Sequence, residues 1–308
     1  MSQIEARGPQ DLGSRRVIEF EGGEKLTIER VTSSEDPRVE KVQELLAQEF
    51  GREEVDIPEV TRAAIDGKAT SGESTTRYIV CVAQNEQGEI VGVTNGAVLH
   101  LRDEEFEAVG NETQAFIAYT TSLEPYRRKG VASELFKTFQ AEAEKEAQSR
   151  GVTIVAYTAE ATNKPGSEQF LNSRDMREVY ISQRNGRRYQ EVQYYQPPVN
   201  WNKETGEPAE GAGTVPEHLM IMLANREKTI SGDKVMEMVR GIYEYNNYWF
   251  ETPFASEDAY ETHNEFIGKI ESRFERSISG KQLSLISSNE RETMKEQNIS
   301  FVRHEIAA

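Results

Sequence analysis

The chain has 308 residues, of which 36% are hydrophobic and 29% charged. This is enough for one large domain or two small ones, and the composition is not that of a disordered chain. Acidic residues outnumber basic ones by 53 to 36, so the formal net charge is −17. Such a charge repels phosphate backbones and anionic lipid surfaces, which argues against nucleic-acid and membrane-surface partners.

Targeting and metal signals are weak. The apolar runs fall well short of the ~20 residues of a membrane span, and the first residues lack an apolar signal core. Cys81 is the only cysteine, and the four histidines are widely scattered. We therefore expect a cytoplasmic protein without an internal disulfide or a bound metal.

The first half of the chain is predicted to fold as a hairpin, a helix and a block of strands after a polar tail at residues 1–16. Asp36 and Pro37 suit the N-cap and first turn of a helix that Gly51 can end. Strands are predicted at 17–20, 26–31, 77–84, 90–101 and 113–123, with a second, weaker helix at 60–65.

The second half begins with an amphipathic helix from Gly130 to Arg150, which Gly151 can end. A buried strand at 152–158, a short helix at 167–173 and strands at 188–196 and 218–224 are predicted to follow. Beyond residue 229 the pattern indicates helices alone. The predicted regions are therefore a tail at 1–16, a main domain at 17–228 and a helical extension at 229–308.

The sharpest signal is the segment that joins the strand ending near Leu123 to the amphipathic helix. A chain that turns from a strand into a helix presents unpaired backbone N–H groups, and with the helix dipole these suit a pyrophosphate. Gly130 permits close approach of phosphates, and Ala132 is small. Arg127, Arg128 and Lys129 add positive charge in an acidic protein.

Arg127, Gly130 and Ala132 match the pattern Arg/Gln-x-x-Gly-x-Gly/Ala, and the chain here resembles the GNAT superfamily of acyl-CoA N-acyltransferases. The resemblance covers roughly residues 17–225. It implies an α/β (α+β) fold whose mixed, mostly antiparallel sheet is flanked by helices, with two parallel strands splayed around a CoA site. It also implies acetyl-CoA as co-substrate. The alternative is an ordinary strand-to-helix turn with a solvated basic cluster.

The resemblance implies roles for particular residues. The free edge of the strand would pair with pantetheine, and the N–H of Thr121 or Leu123 would polarise the thioester carbonyl. Backbone N–H groups of residues 128–133 would hold the pyrophosphate, and Asn163 would contact the pantetheine arm. The implied CoA-binding residues are Thr121, Ser122, Leu123, Arg127, Arg128, Lys129, Gly130, Val131, Ala132, Ser133 and Asn163.

The catalytic acid and base are less well defined by the sequence. Phe170 stands where many family members carry a tyrosine acid, and Ile117 stands where many carry a base. Glu160 is the candidate base or amine-binding carboxylate, and Tyr157 and Tyr119 are candidates for donating a proton to the CoA thiolate. Structural roles are the alternative for each tyrosine.

The predicted activity is acyl-CoA-dependent N-acylation of a primary amine by direct attack. The acceptor is a small-molecule or peptide amine, expected to be cationic because acidic residues line its approach. These residues are Glu160, Glu204, Glu207 and Glu210. The alternative is a catalytically silent GNAT-fold acyl-CoA-binding or interaction protein. The aromatic-rich extension is predicted to form a lid over the acceptor or a homodimer contact.

Overall fold

The computed structural model describes residues 15–20, 23–56, 58–67, 78–161, 167–183, 185–247 and 255–302. The strands are β1 (Arg15–Glu19), β2 (Lys25–Val31), β3 (Tyr78–Gln84), β4 (Ile90–Arg102), β5 (Ala108–Ser122), β6 (Thr153–Ala161), β7 (Arg177–Gln183), β8 (Arg188–Glu191), β9 (Tyr194–Gln196), β10 (Val215–Leu223), β11 (Thr229–Ser231), β12 (Gln282–Ile286) and β13 (Ser300–Val302). The helices are α1 (Arg38–Phe50), α2 (Pro58–Ile65), α3 (Val131–Arg150), α4 (Ser167–Asn172), α5 (Gly232–Asn247), α6 (Glu257–Ile278) and α7 (Ser288–Glu296). Among these residues, no helix combines the length and apolarity needed to cross a membrane.

All the strands belong to one large mixed sheet in the order β1-β2-β3-β4-β5-β6-β10-β7-β12-β11, with β8, β9 and β13 attached beside this path. Strands β5 and β6 run parallel, as do β8 and β13, and the other pairs are antiparallel. A parallel neighbour requires a crossover, and α3 supplies it between β5 and β6. The predicted fold class, a mostly antiparallel mixed sheet flanked by helices, is confirmed.

Helices cover both faces of the sheet. We call the side covered by α1, α2 and α5 the α1 face and the side covered by α3 the α3 face. The alternation of strand side chains separates the two cores: Ala156 and Leu219 pack on the α1 face, whereas Ala159 and Met220 pack on the α3 face.

The segment beyond residue 229 is not purely helical, and the prediction of a helical extension is wrong in this respect. Strand β12 pairs with β7 and with β11, and β13 pairs with β8. In β12 the sequence Gln282–Ile286 alternates for only five residues, too few to stand out beside the long α6 pattern. The predicted strand at 188–196 is also divided, because β8 pairs with β7 whereas β9 pairs with β10.

Aromatic residues beyond 229 complete the core of the α1 face. Tyr245 stacks on Tyr78 with ring centroids 5.1 Å apart, and its ring meets the edge of Phe116 at 5.2 Å. Phe274 of α6 contacts Tyr194 edge-on at 5.6 Å. The segment is thus a structural part of the domain. Three more aromatic residues of this segment, Tyr248, Trp249 and Phe250, lie outside the described residues.

We expect Tyr245→Ala to lower the free energy of unfolding by about 3–5 kcal/mol, because it opens a cavity under two aromatic neighbours. Tyr260→Ala is the matched control, since Tyr260 is 40% exposed whereas Tyr245 is 4% exposed. Urea unfolding of both variants measures the difference. Equal, small losses would show that α5 is not part of the core.

Candidate active site

The pairing of β5 with β6 stops before either strand ends. Parallel pairs run from Glu112 opposite Thr153 to Ile117 opposite Ala159, although β5 continues to Ser122 and β6 to Ala161. Beyond that point β5 stays paired with β4, and β6 stays paired with β10. The two strands therefore diverge, as predicted. We call the gap between residues 118–122 and 160–161 the wedge.

A β-bulge lies at the start of the wedge. Asn95 is opposite Tyr119 and Gly96 is opposite Ile117, so Ala118 is an extra residue on β5. The Asn95 side chain accepts a hydrogen bond from the Tyr119 N–H at 3.1 Å. A Cβ on Gly96 would lie 1.9 Å from the Phe116 carbonyl oxygen, so only glycine allows this close approach. Bulges bend and twist the strand that carries them, which accounts for the divergence here.

The strand edge that faces the wedge belongs to Thr120 and Ser122. The Leu123 N–H donates to the Val91 carbonyl of β4 at 2.9 Å. Because antiparallel pairing alternates, the Thr121 N–H also faces β4, whereas those of Thr120 and Ser122 face the wedge. The prediction that Thr121 or Leu123 polarises a thioester carbonyl is therefore wrong in register by one residue.

The turn after β5 leads into α3 through two left-handed residues, Arg128 with φ of 63° and Gly130 with φ of 90°. Glu134 is the first residue of α3 whose backbone N–H has a hydrogen-bond acceptor, and it donates to the Gly130 carbonyl at 3.1 Å. The N–H groups of residues 128–133 donate to no acceptor that the structure describes. We call these six groups the donor array. They lie at the positive end of a 20-residue helix, an arrangement that suits an anion, and they belong to the residues for which the sequence predicts phosphate binding.

Two of the three cations in this turn already have acidic partners. Arg127 Nη2 lies 2.7 Å from both carboxylate oxygens of Glu49 in α1, and its Nε donates to the Ser122 carbonyl at 3.0 Å. Lys129 Nζ lies 3.2 Å from Glu24. Arg128 is exposed and makes no ion pair within the described residues. The sequence signal of three free cations therefore overstates the side-chain charge available to an anion.

Glu160 is the first residue of β6 beyond the last pair with β5. Its partner across β10 is Leu219, which places its side chain on the α1 face. The Tyr194 hydroxyl donates to Oε1 of Glu160. Burial raises the pKa of Glu160 to about 7, and the hydrogen bond from Tyr194 offsets only part of this rise. A carboxyl group with this pKa suits proton transfer at neutral pH.

The two candidate tyrosine acids lie on opposite faces. Tyr119 is on the α1 face, and its hydroxyl donates to the Glu54 carbonyl at 2.6 Å. Burial raises its pKa well above the usual value. Tyr157 is on the α3 face and donates to Glu144 at 3.1 Å. Tyr157 is opposite Ala115, in the part of β6 that is still paired with β5, and faces away from Glu160.

Three other residues singled out in the sequence have different outcomes. Phe170 lies on α4, where its ring meets the edge of Phe136 of α3 at 6.2 Å. Ile117 is buried in the core of the α3 face. Asn163 lies outside the described residues. Neither the acid position nor the base position of the family pattern carries a group that can transfer a proton.

The loop between β9 and β10 lies against α6 and the end of α1. Trp201 meets His263 and Phe266 of α6, with ring centroids 4.3 and 5.4 Å apart, and Asn200 donates to the Arg52 carbonyl at 3.5 Å. The acidic residues of the loop, Glu204, Glu207 and Glu210, are exposed. The loop therefore presents carboxylates on the α1 side of the sheet.

A second cluster of ionisable groups, not predicted from the sequence, surrounds His218. Its Nδ1 lies 2.6 Å from Glu178 and 2.9 Å from Glu191, and Arg291 of α7 lies 3.0 Å from Glu178. Although the histidine and the two glutamates are close enough to share a metal, Nδ1 lies directly against both carboxylates. This is the arrangement of an imidazolium between two anions, and it raises the pKa of His218 to about 10. The cluster links β7, β8 and β10 to α7.

No protein-family model and no curated protein matches this chain. Arabidopsis thaliana NAA60 in complex with acetyl-CoA is similar over 65% of this chain and 99% of its own, with 12% identity and a TM-score of 0.41. A soil metagenomic aminoglycoside acetyltransferase in complex with sisomicin covers 48% and 86%, with 19% identity and a TM-score of 0.34. The GNAT domain of S. lividans PAT covers 57% and 93%, with 14% identity and a TM-score of 0.35.

The resemblance seen in the sequence implies two splayed parallel strands and a phosphate-binding turn before a helix. The wedge and the donor array occupy these two positions in the chain. A mixed sheet, a parallel pair of strands that separates, and a turn from the first of them into a helix occur here in the implied order. Fold and site together thus define a mixed α/β sheet in which two parallel strands separate beside a helix N-terminus.

We expect His218→Gln to lower the free energy of unfolding by about 3 kcal/mol at pH 7, because it leaves Glu178 and Glu191 without their shared cation. The folded pKa of His218 is raised from 6.5 to about 10, so this stabilisation is complete below pH 6.5 and is lost as the pH rises through 10. The cost of the substitution should therefore be much smaller at pH 10.

His100→Gln is the control for this pH dependence. Burial lowers the pKa of His100 to about 4, so the residue is neutral above pH 7 whether the chain is folded or unfolded. Its effect on urea unfolding should be equal at pH 7 and pH 10. The same independence of pH for His218→Gln would contradict the imidazolium assignment.

Proposed function

We propose that this chain is a GNAT-type acyl-CoA-dependent N-acyltransferase that transfers the acetyl group of acetyl-CoA to a primary amine. The observation that carries the proposal is the continuity between the wedge and the donor array. Pantetheine has amide groups that can pair with an open strand edge, and a pyrophosphate suits six unpaired N–H groups at a helix N-terminus. The strand edge and the helix end are joined by only a short turn, as the two parts of one ligand require.

The space around Gly130 fits an incoming phosphate. Among the residues that the structure describes, a Cβ placed on Gly130 would meet only the Phe20 ring, at 3.7 Å, so they leave space beside this glycine. Its φ of 90° is also one that other residues adopt only with strain. Arg128, with an exposed side chain, adds positive charge beside it. These features support acetyl-CoA as the co-substrate.

In direct attack, one group must accept a proton from the amine nitrogen. Other groups must donate hydrogen bonds to the carbonyl oxygen as it becomes negatively charged. The neutral amine nitrogen forms a bond to the thioester carbon, the carbon–sulfur bond breaks, and the sulfur leaves as a thiolate. Glu160 accepts the proton from nitrogen. The N–H groups of Thr120 and Ser122 are the donors available to the carbonyl oxygen as it gains charge.

A covalent route through a thiol is disfavoured. Cys81 is buried in β3, and burial raises its pKa to about 12. Its thiol is therefore protonated at neutral pH, and a protonated buried thiol is a poor nucleophile. Since it is the only cysteine in the chain, direct transfer is the simpler mechanism.

We also propose that the acceptor amine is cationic. Glu160 lies on the α1 face, and the exposed carboxylates of the loop between β9 and β10 lie on the same side. Carboxylates raise the local concentration of a cation, although they also raise the pKa of the amine. The ammonium group therefore first loses one proton to water, and Glu160 accepts the second proton after the neutral amine attacks. KM for such an amine should rise as salt screens the charges.

Thiol release from acetyl-CoA, measured with a panel of polyamines, aminoglycosides, peptides and neutral amines at two ionic strengths, tests the proposal. We expect turnover with at least one cationic primary amine. The alternative is a catalytically silent acyl-CoA-binding protein, which Ile117 and Phe170 favour because they cannot transfer protons. That alternative predicts CoA binding without thiol release across the panel.

We expect Gly130→Ala to weaken CoA binding about tenfold by calorimetry, because it distorts the donor array and places a methyl group beside the phosphates. Gly151→Ala is the matched control, since Gly151 is the left-handed residue at the other end of α3. Both variants should lose about 1–2 kcal/mol of stability through backbone strain. Equal effects on CoA affinity would contradict a phosphate site at Gly130.

We expect Glu160→Gln to lower kcat by about 10²–10⁴-fold and to leave KM for acetyl-CoA unchanged. Tyr194→Phe removes a hydrogen bond that lowers the pKa of Glu160, so the acidic limb of the kcat/KM profile should move to higher pH. Glu210→Gln, on the exposed loop, is the control and should change neither kcat nor this limb. A Glu160→Gln variant with normal kcat would exclude Glu160 as the base.

A further inference from the structure

Arg174 lies at the first turn of α3, although the sequence gives no sign of this position. It follows α4, and its Nη2 donates to the hydroxyl of Ser133, which is 41 residues earlier and is the third residue of α3. Its guanidinium carbon is 5.4 Å from the centre of the Phe170 ring. A hydrogen bond and an aromatic ring thus hold this cation beside the donor array.

The environment of Arg174 is electrostatically unfavourable without an anion. The N-terminus of a helix carries partial positive charge, which repels a cation. Arg174 makes no ion pair with any carboxylate whose side chain the structure describes, and its buried Nε has no hydrogen-bond partner there. Glu134, in the same turn of α3, pairs with Arg16 and Lys137 instead.

Arg174 differs in this respect from the cations of the sequence motif. Arg127 is neutralised by Glu49, and Lys129 is neutralised by Glu24. Two arginines next to the donor array, Arg128 and Arg174, make no ion pair in the described part of the chain. Arg128 is exposed, whereas Arg174 is partly buried and held in place on two sides.

We propose that Arg174 binds the pyrophosphate of CoA from the α4 side, opposite the turn that carries Arg128. The inference rests on the proposed function and adds a binding residue to that site. A guanidinium donates two parallel N–H groups to phosphate oxygens, a geometry that lysine does not reproduce. Phe170 then has a positioning role, because its ring orients the arginine.

Calorimetric titration of the full chain with CoA tests this inference. We expect Arg174→Gln to weaken binding about tenfold and Arg174→Lys to recover only part of the loss. Arg276→Gln removes the same charge from an exposed position in the last turn of α6 and should leave the affinity unchanged. The thermal midpoint of the ligand-free Arg174→Gln variant should be no lower than that of the wild type. A lowered midpoint with unchanged CoA affinity would show a merely structural role.

Dephospho-CoA, which lacks the 3′-phosphate, identifies the phosphate involved. If Arg174 contacts the pyrophosphate, Arg174→Gln weakens binding of dephospho-CoA by the same factor as binding of CoA. If the difference disappears with dephospho-CoA, the contact is to the 3′-phosphate and the assignment is overturned.

The two proposals fail in distinguishable ways. A wild-type chain that does not bind CoA refutes the proposed function, whereas tight binding by both the wild type and Arg174→Gln refutes only the role of Arg174. Should Arg174→Gln not fold, Phe170→Leu keeps the charge and removes the ring. That variant should weaken CoA binding about threefold, and an unchanged affinity would overturn the inference.

Discussion

The end of the β5–β6 pairing at Ile117 and Ala159 is the constraint on which the site depends. The bulge at Ala118, made possible by the close approach of Gly96, bends β5 away while both strands keep their outer neighbours. Three consequences follow from this one irregularity. Backbone groups of Thr120 and Ser122 lose a partner strand, β5 ends next to α3, and Glu160 lies beyond the last shared pair.

Local ion pairs, rather than the net charge of the protein, determine which positive side chains remain available to a ligand. The acidic excess includes the residues that neutralise Arg127 and Lys129, so in the proposed CoA site these two cations contribute little and the backbone donors contribute most. Backbone donors at a helix end are fixed in direction and do not depend on side-chain entropy. On the α1 face, burial raises the pKa of Glu160 to about 7, so this carboxyl group is only partly ionised at neutral pH. The wedge thus has backbone donors on its β5 side and the Glu160 carboxyl group on its β6 side.

Local signals in the sequence predict the strand-turn-helix segment because left-handed glycines and an apolar stripe act within a few residues. They also predict the splay, through the resemblance that Arg127, Gly130 and Ala132 carry. The register of the free edge could not be predicted, since it depends on one extra residue opposite Asn95. Nor could Arg174 or the His218 cluster, because their partners are distant in sequence: Ser133 for the first, Glu178 and Arg291 for the second. Short alternations such as β12 were hidden beside longer helical patterns.

The position of β12 between β7 and the edge strand β11 has a consequence for how the chain is made. Strand β7 is complete at residue 183, but the strand that covers its outer edge at residues 178–181 begins only at residue 282. During synthesis from the N-terminus, about a hundred residues must therefore emerge before that edge can be closed. An unpaired edge strand is a template for pairing with other chains. Contacts between such distant segments also slow folding, so the nascent chain is exposed to self-association until its last strands are released.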